Sequence, residues 1–292
     1  MDKIRIKVPA TSANLGSGFD CVGIAFQLYN VFSFEKIEKG FLIEGCDEKY
    51  RGKDNLAYVS YKAVCDRIGV GSNVRICIDE INIPVSRGLG SSATLICAGA
   101  IAANILNDNI LNMSEILDIC NRIEGHPDNV APALYGGLCT SIIENDKPIT
   151  VKYPVSSNLH FTIIVPNFEI KTKDARMVLP KTVSREDAVF NMSRIALLPH
   201  AFKHGDFSLI KLVTEDRLHE QYRKKLFKNI DEVEKISYEA GAVSFVVSGA
   251  GSSCLCISKE PIDEKLNKEL ANIENRWYAF TLKADNYGAR EV

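Results

Sequence analysis

Pro84-Val85-Ser86-Arg87-Gly88-Leu89-Gly90-Ser91-Ser92-Ala93 is the stretch on which the reading of this chain turns. Before it, Val74-Arg75-Ile76-Cys77-Ile78-Asp79 alternates apolar and polar residues, as a half-buried strand does. After it, Thr94 to Leu106 is rich in Ala, Leu and Ile and apolar nearly all round, which predicts a helix buried in a core over Ala93–Leu106. The glycines therefore sit between a strand and the start of that helix. Glycine there lets bare backbone approach a ligand, and the first helical N–H groups lack partners within the helix. Beside the positive end of the helix dipole, those donors form an anion site. Ser91 and Ser92 add hydroxyls that can cap the helix, touch phosphate oxygens or reach a metal ion.

Two named phosphate motifs bear on this loop. No Gly-Lys-Ser/Thr occurs anywhere in the chain, so the Walker sequence is absent. Gly88-x-Gly90-x-x-Ala93 fits the loose dinucleotide fingerprint, but it lies far into the chain and no acidic residue ends a second strand about twenty residues later. A nucleotide-dependent oxidoreductase rests on that fingerprint alone and stands as the runner-up.

The chain has 292 residues, enough for two domains and a substantial core. Its net charge of −2 leaves no footprint for nucleic acid or anionic membrane, so any anion must be bound locally. Met1–Ile4 shows no apolar run of a signal peptide, and the nine cysteines are scattered without a Cys-x-x-Cys. The expectation is a cytoplasmic, reduced protein. Cys254-x-Cys256 is better explained by strand alternation than by a metal site.

Outward from the central loop, Ile4, Ile6 and Val8 alternate with charges in a first strand that ends at Pro9. A loop of small residues, Ala10 to Asp20, follows, in which Asn14 and Asp20 are the groups able to bind a ligand. A second strand is expected over Ala25–Glu38. An amphipathic helix is expected over Asn55–Ile68, with Leu56, Val59, Ala63, Val64 and Ile68 on its apolar face. Ser114 is read as the N-cap of a further helix, which runs into the turn Glu124-Gly125-His126-Pro127-Asp128-Asn129. That turn packs two acids, an imidazole and an amide beside a helix end. It lacks a second His or Cys at ligand spacing, so zinc is not expected. Asp146–Asn158 is polar and proline-punctuated and marks the expected boundary between domains at 1–152 and 153–292. Beyond it lie a strand at Phe161–Val165, a helix over Ser184–Phe202, and the basic run Arg223-Lys224-Lys225, by default a solvated face. A helix at Ile230–Ala240, a strand at Ala242–Val247 and a second glycine turn, Ser248-Gly249-Ala250-Gly251-Ser252-Ser253, lead to strands at Leu255–Ile257 and Tyr278–Leu282. The second half is expected to be an α+β domain.

Three blocks, Pro9 to Asp20, Pro84 to Ala93 and Ser248 to Ser253, resemble in order and placement those of the GHMP kinases, over the whole chain. With Glu124-Gly125-His126-Pro127-Asp128-Asn129, the first block resembles the homoserine kinase branch. The resemblance implies an α+β, two-domain GHMP kinase fold: a ribosomal protein S5 domain 2-like N-terminal domain and a ferredoxin-like C-terminal domain, with the active site between them. It implies ATP-dependent phosphorylation of the hydroxyl of L-homoserine, with Mg2+, and often a homodimer.

Carried over by position, Pro84, Val85, Ser86, Arg87, Gly88, Leu89, Gly90, Ser91, Ser92, Ala93 and Thr94 would contribute to the ATP site. Ser92 and Glu124 would hold magnesium, with Asp118 the rival acid. Asn14, Asp20, His126 and Asn129 would face the amino acid, with Asn14 and Asn129 at the catalytic centre. Thr172, Arg176 and Arg223 would meet its carboxylate, and Gly249 and Gly251 would close the site. Ser252-Ser253 departs from the Pro-Thr that family members often carry there. Asn129 stands where other GHMP kinases have an aspartate base, which implies attack without a dedicated protein base. An arginine fork for a carboxylate and an acid for an ammonium suit an amino acid substrate. Other small alcohols, from the mevalonate pathway or the sugars, are the rival substrates, and a non-catalytic binder leaves the phosphate loop unexplained.

Overall fold

The computed structural model describes residues 2–292, in two sheets with helices packed on their faces. The first sheet is built on two long strands, β1 (Lys3–Asn14) and β2 (Gly18–Lys36), paired antiparallel with bulges at Pro9/Ala10 and Ala13/Asn14. β3 (Phe41–Glu44), helix α1 (Leu56–Ile68) and β4 (Val74–Glu80) follow, and β4 pairs antiparallel with β2 and parallel with β3. Then come α2 (Ser91–Leu106), α3 (Met113–Glu124), α4 (Pro127–Tyr135) and the hairpin β5 (Leu138–Glu144) and β6 (Lys147–Tyr153), whose inner strand joins the other end of β2. The first core lies between this sheet and α1–α4: Ile4, Ile6 and Val8 share it with Ile96, Ala100 and Ala103 of the largely apolar α2.

The second half runs β7 (His160–Pro166), α5 (Thr172–Met177), α6 (Arg185–Ile195), α7 (Leu198–His204), α8 (Phe207–Val213), α9 (Glu220–Arg223) and α10 (Ile230–Ala240). It closes with β8 (Ala242–Val247), β9 (Cys254–Ser258), α11 (Asp263–Leu270), β10 (Trp277–Leu282) and β11 (Arg290–Glu291). Its antiparallel sheet has the order β10-β7-β9-β8. With α10 and α11 as the crossovers this is the β-α-β-β-α-β arrangement of a ferredoxin-like domain. Strand alternation sorts β9 as expected: Leu255 and Ile257 face the core shared with β1 and β2, while Cys254 and Cys256 face α10 and α11. In that shared core Phe26 of β2 touches Phe161 of β7, with ring centroids 5.2 Å apart. The cleft between the halves is thus floored by packed side chains.

Several local expectations change. Gly90, at φ 67°, is the N-cap of α2, which starts two residues early, and neither serine caps it. Asn112, not Ser114, caps α3, in a reciprocal capping box with Glu115. The buried face of α1 is Ala57, Tyr58, Tyr61, Val64 and Cys65 rather than the stripe through Leu56 and Val59. The reason lies in α2, where a Cβ on Gly99 would sit 2.0 Å from the Ala57 carbonyl, so the helices touch along that line. The helix expected over 184–202 is two, α6 and α7: Pro199, which has no N–H to donate, stands at the second position of α7, where none is needed, and the break falls just before it. The polar stretch after Asp146 holds a strand, β6, reached through a two-residue turn with Asn145 and Asp146 both at positive φ. β11 returns from the end of the chain to pair with β1 in the first sheet, held by the buried Asp285, which accepts from Tyr29 Oη at 2.6 Å.

Candidate active site

The central loop and the second glycine turn press against each other, and that contact explains the glycines. A Cβ on Gly88 would lie 2.2 Å from the Ser248 carbonyl, and one on Gly90 would lie 1.9 Å from Thr11 Oγ1. Both glycines have φ near 70°, a region costly to other residues. Ser248 Oγ donates to the Gly88 carbonyl at 2.6 Å, and Ser253 N–H donates to the Arg87 carbonyl at 3.2 Å. Arg87 is paired with Glu169 at 3.0 Å. Leu89 is buried in the core between the sheets and anchors the loop. The loop is therefore held by both halves of the molecule, with the unpaired N–H groups of the α2 start at its end. Ser252 Oγ donates to the Phe168 carbonyl at 2.6 Å, so this departure from Pro-Thr gives the turn its own tie.

These elements wall a cleft of about 540 Å³. Val85 to Ser92 line it along one side; Pro84, Ala93 and Thr94 do not face it. Thr94 is buried instead, its hydroxyl donating to the Ser91 carbonyl at 2.8 Å and accepting from Asn30 at 3.1 Å.

Glu124 and Ser92 meet inside the cleft, the serine Oγ donating to Glu124 Oε1 at 2.8 Å. Burial pushes the Glu124 carboxyl above its ordinary value, against the lowering effect of the Ser92 hydrogen bond and His126. A half-buried carboxylate beside a hydroxyl is an oxygen pair suited to a hard divalent cation that takes its other ligands from phosphates. Among the described residues no group of three or more His, Cys, Asp and Glu is arranged to hold a metal by itself. Asp118 lies elsewhere: it pairs with Arg122 at 3.1 Å on the outer face of α3 and borders a different hollow.

His126 is the N-cap of α4, a helix that reads in sequence as a mere turn because of its two prolines. Pro127 sits at its first position, where no N–H is needed. Gly23 lets this helix lie on β2, since a Cβ there would come 1.7 Å from the Asp128 carbonyl. His126 Nδ1 is hydrogen-bonded to the buried Asp128, chiefly which raises the imidazole's pKa. Asn129 Oδ1 accepts from Thr11 Oγ1 at 2.8 Å. Asp128 and Thr11 are the residues of this corner that the sequence did not single out; Asp128 lines the cleft.

Asn14 and Asp20 flank the tight turn between β1 and β2, Asn14 as the last residue of β1 and Asp20 as the third of β2. Asn14 and Leu15 stand at φ 75° and 48°, strained for non-glycine residues, as does Asp20 at φ 57°. Asn14 holds this shape from within: its Oδ1 accepts from Asp20 N–H and its Nδ2 donates to the Gly249 carbonyl, both at 2.9 Å. Asp20 and Arg176 form a bidentate pair across the halves, at 2.9 and 3.1 Å. Arg176 and Thr172 come from α5, Thr172 being exposed at its first position. Arg223, in the basic run expected to be solvated, is 2% exposed yet lines the cleft. Its Nη1 donates to the Gly249 carbonyl at 2.7 Å. Gly251 faces the cleft with no room for a Cβ, which would meet the Phe227 ring at 2.6 Å. All nine site residues read for the substrate thus border one cleft with the phosphate-loop candidates.

Comparison with known proteins bears on this architecture directly. Residues 55–137 match the model for the GHMP kinases N terminal domain, and residues 200–275 match that for the GHMP kinases C terminal domain. A homoserine kinase of Clostridium botulinum is 42% identical over 289 residues, covering 98% of this chain and 97% of the relative. The crystal structure of a homoserine kinase from Cytophaga hutchinsonii superposes with a TM-score of 0.91 at 30% identity, covering 100% of this chain and 98% of that one. The mevalonate kinase of Methanococcus jannaschii, at 17% identity and a TM-score of 0.72 over 96% of this chain and 98% of that one, shares the fold alone. By its two matched domains and its full-length likeness to these relatives, the chain belongs to the homoserine kinases, a branch of the GHMP kinase superfamily.

Proposed function

We propose that the protein transfers the γ-phosphoryl group of ATP to the hydroxyl of L-homoserine, yielding O-phospho-L-homoserine and ADP, the step that family membership assigns to threonine biosynthesis. The observation that carries the residue assignments is the meeting, in one cleft, of an anion-binding loop and charged groups matched to a zwitterion.

In this reading the N–H groups of Gly88 to Ser92 cradle the ATP phosphates. Ser92 and Glu124 hold a magnesium ion, and Asp118, turned to the outer face of α3, does not. When bound, the ion would offset the negative charge that develops during phosphoryl transfer. Asp20 takes the substrate ammonium, and Arg176 and Arg223 take its carboxylate. The entering zwitterion replaces each member of the Asp20–Arg176 pair by its own opposite charge, so the site exchanges ion pairs rather than stripping water from bare charges. Asn14 acts mainly by holding Asp20 and Gly249 in place.

The hydroxyl has no dedicated base. Asn129 is an amide engaged by Thr11, and Asp128 is tied to an imidazole whose pKa it raises. The proton leaves to a phosphoryl oxygen or water, and the protein's work is positioning and charge neutralisation. The nine unpaired cysteines accord with a cytoplasmic enzyme. The exposed Ile142, Ile149 and Val151 on the β5–β6 ribbon are the patch on which a homodimer would draw.

ADP release measured against homoserine, mevalonate, galactose and shikimate tests the assignment. Homoserine alone should support turnover at a rate well above the others; equal or greater turnover of mevalonate or galactose would overturn it.

A further inference from the structure

Behind the cleft wall lies a histidine that the reaction as described does not use. His219 is fully buried at the N-terminal end of α9, one turn before Arg223. Its ring stacks on Phe19, with centroids 5.0 Å apart and planes 26° from parallel. Its Nε2 lies 2.9 Å from the Gly16 carbonyl, in the turn between Asn14 of β1 and Asp20 of β2. Its Nδ1 lies 3.4 Å from Arg223 Nη1.

These two contacts determine the protonation of the ring. A carbonyl oxygen can only accept, so Nε2 carries a hydrogen; a guanidinium can only donate, so Nδ1 offers its lone pair. The imidazole is neutral, and burial lowers its pKa in the same sense, with the Arg223 charge adding to that effect and Asp216 opposing it. Arg223 is fixed in turn. Its Nη1 has two hydrogens, one directed to the Gly249 carbonyl at 2.7 Å and one to His219 Nδ1. Nε points to the Ala175 carbonyl at 3.5 Å, and Nη2 has no partner among the described residues and is the donor left for the cleft. The His219 backbone is itself anchored, its N–H donating to Asp216 Oδ2 at 2.7 Å.

We propose that His219 is a positioning residue for the amino-acid subsite: as a neutral acceptor it sets the rotation of the Arg223 guanidinium so that Nη2 faces the substrate carboxylate. This rests on the reading of Arg223 as a carboxylate ligand. The Gly16 contact selects the tautomer that can accept, so the first domain's substrate loop and the second domain's arginine are set by one ring.

The test separates the two nitrogens. In His219→Gln the side-chain amide can still donate to Gly16 but has no acceptor where Nδ1 was; in His219→Asn the amide oxygen stands at the Nδ1 position. Each is assayed on homoserine and on 3-aminopropan-1-ol, which lacks the carboxylate, beside Arg223→Lys. His219→Gln should raise KM for homoserine about tenfold, the scale of one hydrogen bond to a charged group, with KM for ATP and kcat/KM for 3-aminopropan-1-ol nearly unchanged. His219→Asn should recover most of that loss, and His219→Gln added to Arg223→Lys should cost little more than Arg223→Lys alone. An unchanged homoserine KM in His219→Gln, an equal loss on both substrates, or no recovery in His219→Asn overturns the proposal. If His219→Gln does not fold, His219→Asn decides: a near wild-type homoserine KM supports the proposal and a tenfold rise refutes it. Were Arg223→Lys to lose equally on both substrates, the carboxylate reading would fall and this inference with it. A selective loss in Arg223→Lys without one in His219→Gln removes only the role of His219.

Discussion

The loop proposed for phosphate and the subsite proposed for the amino acid share one cleft but are built in opposite ways. The loop is a run of consecutive residues whose proposed ligating groups are backbone N–H donors at the start of α2. Its chemistry needs only the correct φ at Gly88 and Gly90 and room for the chain to pass Thr11 and Ser248. The subsite draws Asp20 from the start of β2, Arg176 from α5 and Arg223 from α9, side chains far apart in the chain that meet only on folding. A phosphate can be bound by almost any chain that presents its amides in a nest. A zwitterion needs side chains of set charge at set separations. The first task is local and the second is tertiary.

That contrast predicts separable damage. The largest effect belongs to the cation pair that joins the two regions. Glu124→Gln should lower kcat by several kcal/mol of lost charge stabilisation, roughly a thousandfold, while Asp118→Asn on the outer face of α3 leaves it within about twofold. Because burial raises the Glu124 carboxyl, the wild type should demand more magnesium as pH falls, at higher pH than an exposed glutamate would. Titrating activity with magnesium at several pH values reads this directly, and an active Glu124→Gln with a dead Asp118→Asn would reverse the metal assignment.

Gly90→Ala comes next. The added Cβ would collide with Thr11 Oγ1, and the residue keeps a left-handed φ, together about 3 kcal/mol or roughly a hundredfold. The loss should appear in ATP affinity by calorimetry, with homoserine binding nearly intact. Equal weakening of both ligands would show that the loop and the subsite are not separable.

Arg176→Lys should have the smallest effect and the opposite signature. The charge is kept but the bidentate fork that would meet the substrate carboxylate in place of Asp20 is lost, worth about 1.5 kcal/mol or roughly tenfold in kcat/KM for homoserine. ATP affinity should not change. Loss of ATP affinity instead would place Arg176 on the phosphate side of the cleft.

The difference between the regions also explains what could be read before folding. The central loop, the buried helix after it and the α10–β8 pair, which the sequence placed at Ile230–Ala240 and Ala242–Val247, are written in local patterns. Helix starts were less legible: Asn112 competed with Ser114 for the cap, and Pro127 and Pro132 hid a helix. β6 looked like a linker because its alternating apolar residues Ile149 and Val151 face solvent and only Pro148 on the strand is buried, so the pattern points to no core.

By itself the sequence determined the anion loop, the α+β architecture and the set of charged residues from which a site for a small zwitterion could be drawn. Only the tertiary structure decided where each of them stands. Glu124 and Asp118 stand six residues apart on α3, about 240° around a helix of 3.6-residue period, so one acid faces the cleft and the other cannot. Nothing in the period says which; that depends on α3 packing its Ile116, Leu117 and Cys120 side on the core. Arg223 sat in a basic run that read as solvated, and became a buried wall of the cleft because the Gly16 turn of the first half, which meets His219, and the Gly249 turn of the second, which accepts from Arg223, closed over it. Local pattern specifies which surface of an element is apolar. The partners of its polar groups are supplied by distant segments, and these arrive only when the cores behind them are packed.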